Sequence, residues 1–424
     1  MIRILLFFIL LANISFAQRT LIHCGTLIDG KNKQTQSQVT IVVEGNKIIA
    51  IEKGFTAATA NDKVIDLGNK TVMPGLIDMH VHLEMETSKE ALVKKFTLNE
   101  ADIAFQSTVY AKKNLMAGFT TVRDCGGTGV NISLRNAVNA GTVIGPRIIT
   151  AGKSIATTGG HADPTNGSKR DLMGDPGPKE GVINGPDEAR QAVRQRYKEG
   201  SDFIKITATG GVLSVAKDGS GPQFTQEELN AIVQAAKDYG FHTAAHAHGA
   251  EGMKRAVLAG ITTIEHGTLM TDEVMELMKQ KGTYHVPTII AGRSAAEYAK
   301  IPGYYHPLVV PKALEIGSKI LENFSKAYKK GVKIAFGTDA GVFPHGENAR
   351  EFGYMVEGGM PPIEALLCAM QTNANILGMG DKIGSVEAGK LADIVAVDGD
   401  PTKDIQTMLS VKFVMKDGIV YKSE

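Results

Sequence analysis

The chain has 424 residues with 46 basic and 45 acidic side chains, a formal net charge of +1, and this balance gives no electrostatic reason to expect nucleic acid or an anionic membrane as partner. The length exceeds one small core, and the composition is that of an ordinary globular protein. Three scattered cysteines, Cys24, Cys125 and Cys368, exclude a disulfide framework and show no metal-type spacing; they read as buried small hydrophobes.

In chain order, the first element is a targeting segment. Arg3 supplies a basic start, Ile4–Leu11 an apolar run, and Ser15-Phe16-Ala17 a small-x-small cleavage site. The pattern predicts a signal peptide over 1–17, cleavage before Gln18, and a periplasmic or secreted protein. Asn13 and Ser15 break the apolar run short of the roughly 18 residues a span requires, so no stable membrane span is expected in the mature form.

Next comes a β-rich stretch in which Leu21–Cys24, Val39–Glu44 and Lys47–Glu52 read as strands between Gly and Asn turns. The C-terminus is similar at Asp393–Val397, Lys412–Lys416 and Gly418–Tyr421. Neither end has enough apolar surface to stand alone, so the two together predict one small β-sandwich over 18–73 and 384–424.

Between them, over 74–383, strands alternate with helices. The expected strands are Leu76–Leu83, Thr120–Cys125, Arg147–Ala151, Phe203–Thr209, His242–His248, Thr262–Gly267, Tyr284–Ile289 and Lys333–Thr338. The clearest helix opens on a Thr225–Glu228 capping box, carries Leu229, Ile232, Val233 and Ala236 on one face, and ends at Gly240. This repetition predicts an α/β fold, a (β/α)8 TIM barrel rather than an open doubly wound sheet. No GxGxxG fingerprint or P-loop supports nucleotide binding. The long loops 152–186 and 210–222 are expected over the C-terminal face of such a barrel.

The chemistry sits at the ends of these strands. His80 and His82, at i and i+2, share one face. Asp339 follows the eighth strand, the neighbour of the first in a closed barrel. Two imidazoles and one carboxylate can then bind a cation and leave a position for water, as catalytic zinc requires; the plainer alternative for Asp339 is a turn or helix cap. His246 and His266 end neighbouring strands and suit a second cation, with His248 as a rival ligand or a substrate group. Lys205 lies between Ile204 and Ile206, so alternation points it into the lumen. An unpartnered buried ammonium is costly. Either a lumen acid pairs with it, or the amine captures CO2 as a carbamate whose oxygens bridge two cations.

These segments resemble the amidohydrolase superfamily in its binuclear, carboxylated-lysine form. Within it, the chain is similar to imidazolonepropionase-related and prolidase-like enzymes, which include Xaa-Pro dipeptidases and metallo-carboxypeptidases. The resemblance runs from Leu21 to Tyr421, and its most specific motifs are Pro74-Gly-Leu-Ile-Asp-Met-His-Val-His82 and Gly389-Lys-Leu-Ala-Asp-Ile-Val-Ala-Val397. It implies two divalent metal ions, with His80, His82 and Asp339 on one, His246 and His266 on the other, and carboxylated Lys205 between them. Such donors suit zinc and admit manganese, iron or cobalt.

The resemblance also implies a hydrolase of amide bonds in dipeptides or N-acyl amino acids. A hydroxide shared by the metals would attack the carbonyl, with Asp339 moving the proton. His161, in the loop after the third strand, stands where family members present a catalytic or substrate-binding histidine. His248, Tyr284 and Arg293 are further substrate candidates, Arg293 for a terminal carboxylate. Tyr284 and His285 occupy opposite strand faces, so at most one points inward. Arg123 would serve a carboxylate too, or pair with Asp124. The rival readings are a cyclic-amide hydrolase and a non-catalytic binding barrel. The expected partner is a small-molecule or dipeptide substrate, and the family commonly assembles as homo-oligomers.

Overall fold

A computed structural model describes residues 18–217 and 219–424; the expected signal peptide lies outside them. Among the described residues, no helix is long and apolar enough to cross a membrane. All three cysteines are buried and unpaired.

The chain ends meet in one seven-stranded sheet. From the N-terminal side come β1 (Arg19–Leu27), β2 (Gln36–Glu44), β3 (Lys47–Lys53) and β4 (Lys63–Pro74). The strands that follow in the chain are β5 (Leu76–Val81), β6 (Phe119–Asp124), β7 (Arg147–Thr150), β8 (Ala156–Thr157), β9 (Val182–Ile183), β10 (Ile204–Thr207), β11 (Thr243–Ala247), β12 (Thr263–His266), β13 (Tyr284–Val286), β14 (Ile394–Asp398), β15 (Val411–Lys416) and β16 (Ile419–Ser423). The terminal sheet has the order β16-β15-β14-β4-β1-β2-β3. Its apolar face gathers Ile22, Ile41, Val43, Ile48, Val72, Ile394, Ala396 and Phe413 into one cluster. The sheet also bends back on itself, because Ile48 N bonds Lys390 O and Ala392 N bonds Asn46 O.

The middle of the chain is parallel. One sheet runs β5-β6-β7, another β10-β11-β12-β13, and β8 pairs with β9. Ile155, just before β8, pairs with β10: its N–H donates to Lys205 O and its carbonyl accepts from Thr207 N, while Asp202 N, just before β10, bonds Thr150 O of β7. The expected eighth strand, Lys333–Thr338, is not a regular strand. Single parallel bridges, Ile334 with His285 and Ala340 with Val81, lie at either side of it. Local side-chain bonding competes with the ladder here: Thr338 N and Oγ1 both donate to the Asp78 carboxylate, and Asp339 adopts a φ of 65°.

The helices carry the caps and faces that their residues dictate. Thr225 accepts from Glu228 N, and Glu228 accepts from Thr225 N, satisfying donors that every helix start leaves open. That helix, Gln226–Asp238, packs Leu229, Ile232 and Ala236 in one cluster with Ile204, Ile206 and Ala245. Ile204 and Ile206 therefore face helices, which leaves Lys205 on the opposite side of β10.

Arg147 of β7 ties the parallel region to the terminal sheet. Its guanidinium donates to Asp393 Oδ2 and Asp417 Oδ1, both at 2.6 Å, with the Arg147 side chain only 14% exposed. Removing one partner of a buried pair strands the other charge. Arg147→Met should cost about 3 kcal/mol of stability, read as a lower thermal midpoint in calorimetry. An unchanged midpoint would show that the two regions do not depend on this clamp.

Candidate active site

Side chains from β5, β10, β11, β12 and the 338–340 turn meet at one end of the parallel strands. His80 and His82 place their rings 5.4 Å apart. Asp339 Oδ1 lies 3.5 Å from His80 Nε2 and 3.3 Å from His82 Nε2. Lys205, 4% exposed, brings Nζ to 3.2 Å from His80 Nε2. The His266 ring is 5.1 Å from that of His80 and 4.6 Å from that of His246. The sequence candidates His80, His82, Lys205, His246, His266 and Asp339 all line one cavity of about 230 Å3, together with His161 and His248.

Backbone conformation explains how neighbours on one strand share this space. Alternation would aim Glu265 and His266 to opposite faces. His266 instead takes a φ of 70°, a left-handed conformation unusual for a side chain with a Cβ, and both groups point inward. Asp339 does the same at 65°, and Thr288, whose hydroxyl holds His266 Nδ1 at 2.7 Å, sits at 48°. Such backbone strain clusters at functional sites.

Glu265 is the residue that sequence reading missed. It is fully buried, with Oε2 2.8 Å from His80 Nδ1 and Oε1 2.7 Å from Arg123 Nη2. Arg123 faces neither a substrate nor Asp124. It donates to Met79 O, Thr263 Oγ1 and Glu265. The only signal for Glu265 was an acid beside His266, which a regular strand would have turned away. Burial works to raise the Glu265 carboxyl, but Arg123 and His80 outweigh it and hold it well below the carboxylate range.

The electrostatics favour neutral imidazoles. Burial, then Lys205, brings His80 down to about 4. Burial also lowers His248 to about 4 and His161 to about 3, and takes His246 and His266 well below their ordinary value. Burial acts to raise Asp339, but His80, His82 and Lys205 prevail and keep it ionised. For His82 burial is outweighed by Asp339, which raises it.

These features fit a divalent cation. Nδ1 of His80, His82, His248 and His266 each meets an oxygen, from Glu265, Gly126, Thr268 and Thr288 respectively. That contact fixes the ring and frees Nε2 as a ligand. Donor atoms of His80, His266 and Asp339 lie within 4.8 Å of one another. Asp339 Oδ1 and His161 Nδ1 are buried without a hydrogen-bond partner, as atoms awaiting a ligand would be.

Two substrate candidates lie elsewhere. Arg293 turns out of its helix to make two bonds with Glu357, at 2.7 and 2.8 Å, and does not line the cavity. Tyr284 packs with Ile77, Ile383 and Leu391, under the Lys333 ammonium, away from the imidazoles. His285, its strand neighbour, is buried and bonded through Nε2 to His266 O. Strand and helix position alone does not say which partner claims a side chain. His161 and His248 do reach the cavity. The His161 ring lies 4.3 Å from that of His246, tilted by 33°, and against Gly211, where a Cβ would come within 2.2 Å of it.

Comparison with known proteins identifies the family. Residues 71–420 match the family model described as the Amidohydrolase family. The chain is similar to a solved Xaa-Pro dipeptidase with methionine bound in its active site, at 54% identity, a TM-score of 0.93, and coverage of 96% of this chain and 100% of that one. It is 30% identical to ochratoxinase of Aspergillus niger, over 98% of this chain and 89% of the relative. Imidazolonepropionase of Thermoanaerobacter pseudethanolicus is 26% identical over 89% and 87% of the two chains.

Two outcomes are expected. Glu265→Gln keeps the shape but weakens the hold on His80, so metal affinity should fall about 10–100-fold; isothermal titration with Zn2+ that finds no change would remove Glu265 from this role. The second concerns pH. His80, His248, His285 and His345 are held down to about 4 by burial, so below the ordinary value of 6.5 the unfolded chain takes up protons that the fold refuses, and stability falls. Asp78 and Asp124, pushed up to about 6 by burial, and Glu351, pushed up to about 8, act in the opposite sense, because the fold keeps protons that the unfolded chain has lost. The more numerous imidazoles prevail. The thermal midpoint of the metal-free protein should therefore drop between about pH 6.5 and 4.5; a midpoint that rises there would contradict neutral buried imidazoles.

Proposed function

Because this chain belongs to the amidohydrolase family and is a hydrolase of C–N bonds, we propose that it is an exported metal-dependent enzyme that hydrolyses the amide bond of dipeptides or N-acyl amino acids. The observation that carries the reading is the meeting of His80, His82, Lys205, His246, His266 and Asp339 around one cavity. The 54% identity to a Xaa-Pro dipeptidase across 96% of the chain favours a linear amide over the cyclic amide of the more distant imidazolonepropionase.

The architecture proposed with it is a closed (β/α)8 barrel over 74–383, in which the 333–340 segment completes the ring between β13 and β5. The bonds Ala335 N to His285 O, Met79 N to Phe336 O and His82 N to Ala340 O support that closure. The terminal sheet would form the accompanying β-sandwich over 18–73 and 384–424. Export rests on the basic, apolar and small-residue pattern of 1–17, with the periplasm or the exterior as destination.

His80, His82 and Asp339 would hold one cation and His246 and His266 a second, zinc by preference. Lys205, whose amine adds to CO2 with release of one proton, would carry the bridging carbamate. When bound, the cations supply Lewis acidity to the carbonyl and lower the pKa of water. The chain does the rest. Asp339 accepts the proton of the attacking water and returns it to the leaving nitrogen, which departs poorly without it. His161 and His248, whose rings lie beside that of His246, would orient the carbonyl or the free carboxylate.

Asp339→Asn should retain metal by elemental analysis and lose about 10²–10⁴-fold in kcat. Full turnover by that variant would rule out the proton role. Chelation should abolish hydrolysis and Zn2+ should restore it. A panel of dipeptides, N-acyl amino acids and cyclic amides decides the substrate class, and turnover confined to cyclic amides would overturn the linear-amide reading.

A further inference from the structure

The cavity has two unlike poles. One is the polar centre. The other is built by two helices, Ile289–Ala299 and Val310–Lys329, which present Ala291, Gly292, Ala295, Ala313, Ile316 and Ile320. Val212 and Leu213, from the loop after β10, complete this wall. Among the described lining residues, the only charged side chains other than imidazoles are Lys205 and Asp339, both at the polar pole.

The wall is rigid. At Gly292 a Cβ would lie 2.9 Å from Ile320 Cδ1, and at Gly317 one would lie 2.4 Å from Ala296 Cβ, so the helices already touch and cannot close further. Glu351 accepts from Ile289 N and Ile290 N and fixes the start of the first helix. Lys312, one residue before Ala313, ties the loop to the second: its Nζ donates to Gly211 O, Ser214 O and Ala216 O at 2.8–2.9 Å. These carbonyls engage its charge, and Lys312 does not line the cavity. The depth of the wall therefore comes from the short side chains of Ala291, Ala295 and Ala313.

We propose that this wall is the side-chain pocket of the active site, and that it selects amino-acid substrates with an uncharged, apolar side chain of about leucine or methionine size. The proposal rests on the amide-hydrolase reading above and adds its specificity. A charged side chain seated there would be desolvated with no partner, at high cost, whereas an apolar one gains with each methylene it takes out of water. Selection then arises from rejection of charge as much as from attraction of hydrocarbon.

The test compares kcat/KM over two series, Xaa-Ala and Ala-Xaa, with Xaa as Ala, Leu, Met, Asp and Lys. In one series Leu and Met should exceed Asp and Lys by about 100-fold or more, and Ala295→Leu, which fills the pocket, should lower the Leu-to-Ala ratio by about tenfold. Ile316→Ala, which widens it, should raise the relative rate on a Phe substrate and keeps the proposal testable if Ala295→Leu does not fold. Equal use of Asp, Lys and Leu, or an unchanged ratio in both variants, would overturn the pocket. If the metal-loaded wild type cleaves neither series, the amide-hydrolase reading fails separately. Thermal shift with free leucine and free aspartate then judges the pocket alone: stabilisation by leucine only supports it, and equal or absent stabilisation overturns it.

Discussion

The buried chain Arg123–Glu265–His80 is the constraint on which the site depends. Three polar groups sit in the interior without solvent, and each is tolerable only because the next one satisfies it. Arg123 spends its donors on Met79 O, Thr263 and Glu265, and Glu265 spends its second oxygen on His80 Nδ1. The ring is thereby fixed with Nε2 toward Lys205 and Asp339. A guanidinium that looked suited to a substrate is thus committed to holding the site together.

The second constraint is backbone conformation. Parallel strands offer inward positions only at alternate residues, which is too sparse for this many ligand atoms at one level. Left-handed turns at His266 and Asp339 add positions at strand ends, where the ladder is finished and hydrogen bonding no longer opposes the turn. The cost is offset by bonds the turns make possible, such as His266 Nδ1 to Thr288 Oγ1 and Asp339 N to His80 O.

The same economy extends outward. The terminal sheet joins segments far apart in the chain and is clamped to the strands through Arg147, Asp393 and Asp417. On the opposite side, helices in contact at Gly292 and Gly317 give the cavity a stiff apolar wall. In the proposed reading the polar centre carries the hydrolytic chemistry, and the wall is the part of the surface that discriminates among side chains.

The sequence by itself determined the strand-end position of the donors, the Lys205 direction, the Thr225 cap and the joining of both termini in one small β unit, which it read as a sandwich. Each of these follows from local rules: period-two alternation, cap chemistry, and Gly-bounded apolar runs. Only the tertiary structure decided the rest. It drew Glu265 inward by a turn that no local rule predicts, gave Arg293 to Glu357 and Tyr284 to an apolar cluster, and replaced a regular strand over 333–338 with single bridges around the Asp78–Thr338 bonds. The reason is physical: a residue's local pattern fixes which face it leaves by, but the partner that satisfies its charge or hydrogen bonds comes from distant parts of the chain, and that partner sets where the side chain finally points.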